Sequence, residues 1–455
     1  MMKKSLLALA VAALSANAFA FELGTDSALK YASEIKFDTT DGTELTLPAG
    51  ETVDVETGFS ITAGNVRYVR FDITGAEFDT DSVVAADLAA AGLILDTDYS
   101  VQVSAVDSTN KKYVIFEITP LAAGAGDMDN EQELNFSPKI LAKSAANVTL
   151  QYRLYETGVA ALAGSDAVLA SKSGSVISFA KALSFKATPN AAIGKIDVAQ
   201  ESKLFTTGNE TDLGTVEVAL DSAVLWTDGL ATEAEDLLSD TANANSIVIS
   251  GDFSSATDVQ LAGSSIDPDN LTATTATFPF ANAASVIGSG SITFVTNETD
   301  AISPSGFTTT LDLTAATNSS ATDISGGALG SLEKNGDSQE VNLSLKPKSE
   351  GGVYDNFVRI SNTSSLAGKF FITVIADDGS TASLALSDVE GQPAELAARA
   401  STTQMRIDDI YAAAVTKGFA LSGQGKLRLV VEGEVPSLDV QTYTVSKDAN
   451  SFATF

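Results

Sequence analysis

Apolar residues along this chain fall mainly at every second position, in short runs rich in Val, Ile, Thr, Tyr and Phe that end at Gly, Asn or Asp. Alternation with that period turns one side of a run toward a core and the other toward water, so each run reads as a β-strand. Clear examples are 65–73, 99–106, 112–118, 147–155, 175–185, 215–220, 308–313, 340–345, 369–375 and 426–431. Where nothing interrupts them the strands recur roughly every 8–12 residues, a spacing that belongs to sandwiches and barrels rather than to βαβ units. Helical periodicity is confined to short stretches. Residues 83–91 and 231–238 read as one or two turns each, 406–414 as an amphipathic helix, and the Ala-rich 159–170 as helix or loop. The expected fold is all-β: two or three tandem β-sandwich (Ig-like) domains with a few short helices. Small-residue stretches near 158–174 and 331–350 divide it into an N-terminal β-sandwich at 21–165, a middle β domain at 166–345 and a C-terminal β-sandwich at 346–455.

The first twenty residues follow a different rule. Met1-Met2-Lys3-Lys4 is positively charged, Ser5 to Leu14 is apolar, and Ala18-Phe19-Ala20 offers small residues at a cleavage site. That order is a secretory signal peptide, 1–20, with the mature chain expected to start at Phe21 outside the cytoplasm. No later stretch reaches the roughly 18–20 apolar residues that span a bilayer. Nine tyrosines and one tryptophan are also few for the two aromatic girdles of an outer-membrane barrel. The chain is therefore expected to be secreted and not membrane-spanning, either released or held noncovalently.

Composition narrows the chemistry. With no histidine there is no imidazole base or imidazole metal ligand, and with no cysteine there is no disulfide, thiolate nucleophile or thiolate metal site. Paired carboxylates alone are able to hydrolyse glycosides, but carbohydrate sites also need aromatic platforms, and Trp226 is the single tryptophan. No enzyme is expected. Acidic residues number 59 against 27 basic ones, a net charge of −32. Such a surface repels nucleic acid, which calls for clustered Lys and Arg, and attracts hard divalent cations. The 44 % of apolar residues is still ample for a folded core.

Calcium is thus the expected cofactor, and three groups of acids are its candidate ligands. Asp127, Asp129 and Glu131 alternate as the first ligands of a calcium loop do, although Gln132 stands where an EF-hand needs glycine. Asp79 with Asp81, and Asp96 with Asp98, flank the short helical stretch 83–91 and hold either an ion or the ends of that helix. Asp377-Asp378-Gly379 reads as a hairpin turn, and Glu233, Glu235 and Asp236 as the acidic first turn of a helix.

Two stretches of the last third carry a family resemblance. Asn356, Phe357, Val358, Arg359, Ile360, Asn362 and Thr363, followed by Gly425, Lys426, Arg428, Leu429, Val431 and Glu432, resemble the opening and late strands of a β-sandwich module at the ends of secreted proteobacterial surface proteins. Leu427 replaces that module's usual tryptophan. As a whole, the chain resembles the S-layer and biofilm-matrix proteins of marine gammaproteobacteria. That resemblance implies self-assembly into a two-dimensional lattice of identical chains on the outer face of the outer membrane. The acidic charge adds the expectation that calcium bridges the subunits to one another and to lipopolysaccharide. The alternative is a monomeric secreted adhesin or ligand-binding module built from the same sandwiches.

Overall fold

The strand Val148–Tyr155 shows how the pattern becomes structure. Val148, Leu150, Tyr152 and Leu154 are buried while Thr149, Gln151 and Arg153 between them are not, the two-residue period of a strand with one face on a core. The computed structural model describes residues 21–122, 126–262, 264–265, 270–286, 288–445 and 452–454. The leader, 1–20, lies outside the described residues. Among the described residues the strands form seven sheets.

The first group joins three of them. A six-stranded sheet runs in the order 29–32, 170–180, 148–155, 67–74, 113–120, 99–106, antiparallel except for its first pair. Against it lie a four-stranded sheet (21–22, 53–56, 133–136, 88–90) and a three-stranded one (43–45, 140–142, 77–78). Phe136 closes this core: its ring stacks on Phe71 at 4.1 Å and meets Phe116 at 5.8 Å and Phe78 at 5.9 Å edge-on. One side chain thereby ties together all three sheets. Strand 170–180 pairs with 148–155 along its length, so the chain leaves this group only after Ala180.

The second group packs a five-stranded sheet (183–189, 210–220, 288–296, 256–261, 264–265) on a four-stranded one (275–279, 246–250, 305–312, 324–332). Its centre is again aromatic, with Phe253 stacked on Phe294 at 5.8 Å and tilted against Phe307 at 5.1 Å. Most buried apolar residues from Phe21 to Leu332 belong to one continuous core, with Ile115, Tyr155 and Ala161 in a small cluster of their own. Backbone bonds cross between the two groups: Ala32 N–H donates to Leu225 O, and Leu225 N–H to Lys30 O. The third group has a core of its own, from Val341 to Val440. It pairs the sheets 337–345, 427–433, 370–376, 381–385 and 405–406, 355–362, 438–445, 452–454. Its junction with the second group includes Ile196 N–H donating to Glu333 O and an ion pair from Lys334 to Glu434 at 3.0 Å.

Helices are short, and each starts for a local reason. α1 (Gly158–Ala163) is capped by the Thr157 hydroxyl, which accepts from Ala160 N–H, and ends at Gly164 in the left-handed conformation. α2 (Ala234–Leu237) and α3 (Ile407–Thr416) begin where an aspartate, Asp236 or Asp409, accepts the backbone N–H three residues earlier. The helix expected at 83–91 is instead a single 3₁₀ turn, Ala85–Asp87, followed by the strand Leu88–Ala90. Pairing of that strand with 134–136 overrides the alanine propensity.

Replacing Phe136 by alanine removes the ring at the centre of three sheets and should cost about 3–5 kcal/mol. Calorimetry should show this as a lowered transition for the 21–332 core, with the transition of 337–445 left in place. Loss of both transitions together would mean that the two cores do not unfold independently.

Candidate functional site

Many acidic side chains serve the chain's own loops. Asp38 accepts N–H bonds from Thr40 at 2.8 Å and Asp41 at 3.1 Å; Asp252 accepts from Ser254, and Asp378 from Ser380 at 2.9 Å. In each case a carboxylate closes a turn by taking a backbone donor two or three residues ahead. Those bonds favour the ionised form, so the carboxyls of Asp38 and Asp378 sit below their ordinary value, chiefly because of the backbone N–H groups of Thr40 and Ser380. Their contribution is present at neutral pH and disappears as pH falls through the depressed values. The turn expected at Asp377-Asp378-Gly379 is one of these, joining strands 370–376 and 381–385.

The seven acids proposed for calcium lie in similar surroundings. Asp127 accepts from Ala63 N–H at 2.7 Å, tying two loops that are far apart in sequence. Asp129 accepts from Glu131 N–H at 3.0 Å, and Asp98 from Ile94 N–H at 2.8 Å. Asp96 takes a left-handed backbone conformation in the turn that leads into strand 99–106. Asp79 follows strand 77–78, its N–H donating to Lys139 O, and Asp81 is exposed just beyond it. Among the described residues no three carboxylates converge as a ready-made metal cage.

Two charged assemblies lie where the strand pattern alone did not point. In the first, Asp72 holds two guanidiniums at once, Arg70 Nη2 at 2.7 Å and Arg153 Nη2 at 2.6 Å. Arg70 Nη1 also donates to the carbonyls of Ala161 and Leu162, and Arg153 Nη1 to that of Gly164. These carbonyls lie at the end of the helix, where acceptors outnumber backbone donors, and positive charge there also complements the helix dipole. Arg70 further stacks over the Tyr113 ring at 4.0 Å. The network fixes a six-residue helix on the outer face of the sheet, with Val159 81 % and Leu162 56 % exposed.

In the second, Asp54 stands on a middle strand of the four-stranded sheet and is only 2 % exposed. Its Oδ1 accepts from the Thr52 hydroxyl and from Asn135 Nδ2, both at 2.6 Å. Its Oδ2 is buried without a hydrogen-bond partner. Glu133 approaches from the neighbouring strand, where Asn135 Nδ2 reaches its Oε1 at 3.4 Å. Two carboxylates offer each other no donor, so a proton is retained more tightly between them. Glu133 is accordingly raised above its ordinary 4.5, first by a hydrogen bond shared with the Asp54 side chain, then by burial and by the charge of Asp54. Glu51 is raised as well, by burial and then by the charges of Asp54 and Asp26. The Val53-Asp54-Val55 alternation marks Asp54 as pointing away from the apolar face, and its burial comes from non-local cover that the alternation does not encode.

These features define a chain of packed β-sandwiches whose charged groups mainly fasten its own loops, sheets and helix ends, as a structural protein requires. The model of the S-layer protein Slr4 family matches residues 67–451, and the chain belongs to that family of cell-surface structural proteins. No curated protein matches it. Among solved structures it is similar to the C-terminal domain of the Streptococcus pyogenes antigen I/II-family protein AspA, at 12 % identity and a TM-score of 0.22, over 66 % of this chain and 99 % of that one. It is also similar to a tetra-tandem repeat from the extending region of a large adhesion protein, at 13 % identity and a TM-score of 0.18, over 96 % of this chain and 73 % of that one. At those scores neither likeness carries an argument about function. No helix among the described residues is long and apolar enough to cross a membrane.

A raised carboxyl stabilises the fold fully below its unfolded value and loses that contribution as pH climbs through the folded value. Glu133→Gln supplies a donor to Asp54 at every pH. In the presence of chelator this variant should melt above the parent at pH 7, with the difference shrinking toward pH 4. An unchanged difference across that range would show that the pair does not share a proton.

Proposed function

We propose that the chain self-associates laterally into an S-layer lattice on the outer face of the outer membrane and contributes to biofilm matrix, as the proteins of marine gammaproteobacteria that it resembles are expected to do. The observation that carries this reading is the family match along 67–451, on a chain whose tandem sandwiches present strand edges and loops for lateral contact. The resemblance of 354–379 and 423–443 to a module of secreted surface proteins points the same way.

Charge sets the mechanism. Chains with a net charge of −32 repel one another and repel anionic lipopolysaccharide, with a range of about 10 Å at 0.1 M salt. In this account calcium bridges chain to chain and chain to lipopolysaccharide, binding exposed carboxylates such as Asp81, Asp127, Asp129, Glu131 and Asp96, with Asp79 and Asp98 beside them. A bridge of this kind needs ligands from two surfaces, so it requires no complete cage within one chain. The role is structural and involves no catalysis.

Negative-stain electron microscopy of the purified chain from Phe21 onward, first with chelator and then with millimolar calcium, tests the proposal. Ordered two-dimensional sheets that form only with calcium are the expected result. Sheets in both conditions would keep the lattice and remove the cation bridge, while dispersed particles in both would replace the lattice with a monomeric adhesin.

A further inference from the structure

The most unusual polar atom described is the buried Asp54 Oδ2. Its partner oxygen has two donors, from Thr52 and Asn135, yet Oδ2 has none. A polar atom withdrawn from water without a partner costs about 1–3 kcal/mol, and more if it is charged. Two further acids stand beside it. Glu133 shares the Asn135 amide with Asp54, and Glu22 stands directly across from Asp54 in the parallel register of strands 21–22 and 53–56. Lys172 is committed to Glu22 at 2.6 Å, so its charge is already partly used at the edge of this face. Two carboxylates side by side, one buried and lacking a donor when both are ionised, are relieved either by a proton held between them or by a cation seated there.

We infer that Asp54 and Glu133 bind one hard divalent cation of the calcium class, entering from the half-exposed Glu133 side and seated against Asp54 Oδ2. The donors are all oxygen, which excludes a preference for softer metals that favour nitrogen or sulfur. Calcium tolerates irregular geometry and completes its shell with water, whereas magnesium demands a near-ideal octahedron that two strand-anchored carboxylates do not offer. With only two protein carboxylates the site belongs to the weak range of extracellular modules, with a dissociation constant of about 10⁻⁴–10⁻³ M. It lies within one chain, so it stands whether or not chains are bridged into a lattice, and it uses none of the exposed acids assigned to bridging.

Thermal melting tests it, at two protein concentrations low enough that light scattering detects no assembly in calcium, at constant ionic strength, with chelator, with magnesium and with millimolar calcium. Calcium should raise the melting temperature of the parent by roughly 2–5 °C independently of protein concentration, and magnesium should do so by clearly less. Glu133→Gln and Asp54→Asn replace the missing cation with an amide donor, so both should remain folded in chelator and lose the calcium shift. The inference is overturned by a parent that does not respond to calcium, by variants that keep the parent's shift, or by a shift that appears only at high protein concentration.

Discussion

Everything in this molecule has to accommodate one constraint: 59 acidic residues against 27 basic ones, in a chain without cysteine to cross-link its loops. The fold meets it by giving carboxylates backbone donors to hold. Asp38, Asp252 and Asp378 close turns, Asp87, Asp236, Asp388 and Asp409 accept the N–H at the start of a helical turn, and Asp127 ties a loop to Ala63. Each such bond fixes a loop or a helix start by giving a backbone donor a nearby acceptor. The acids thus do part of the work that disulfides do in many small domains.

Where carboxylates move inward the terms change. Asp72 is compensated by two arginines, and the group gains a further use by anchoring the carbonyl end of α1. Asp54 has no such partner and shares its position with Glu133, which leaves the pair dependent on a proton or another cation. The contrast separates a charge network that is complete within the chain from one that needs something from solvent.

Strand positions were legible because burial follows the two-residue period, as in 148–155 and 370–376, and the Asp377-Asp378-Gly379 turn was legible because its chemistry is local. What the period does not encode is partnership. Strand 133–136 inserts between 53–56 and 88–90, and that pairing converts an alanine-rich stretch expected to be helical into a strand. The same limit applies to the charged groups. Asp127 and Asp129 were recognisable as loop acids, but the bond from Ala63 was not, and nothing local marks Asp54 as buried because its cover comes from residues distant in sequence. The family match accounts for the remaining step, from an all-β chain to a structural protein of the cell surface.

The central claim is that the acids left exposed after this internal fastening keep chains apart until a divalent cation is supplied. Sedimentation velocity at constant ionic strength, with sodium exchanged stepwise for calcium, tests it most directly. The account predicts that the chain sediments as a single species in sodium and shifts to large assemblies as calcium replaces it. Association that follows total ionic strength alone, indifferent to which cation is present, would contradict it.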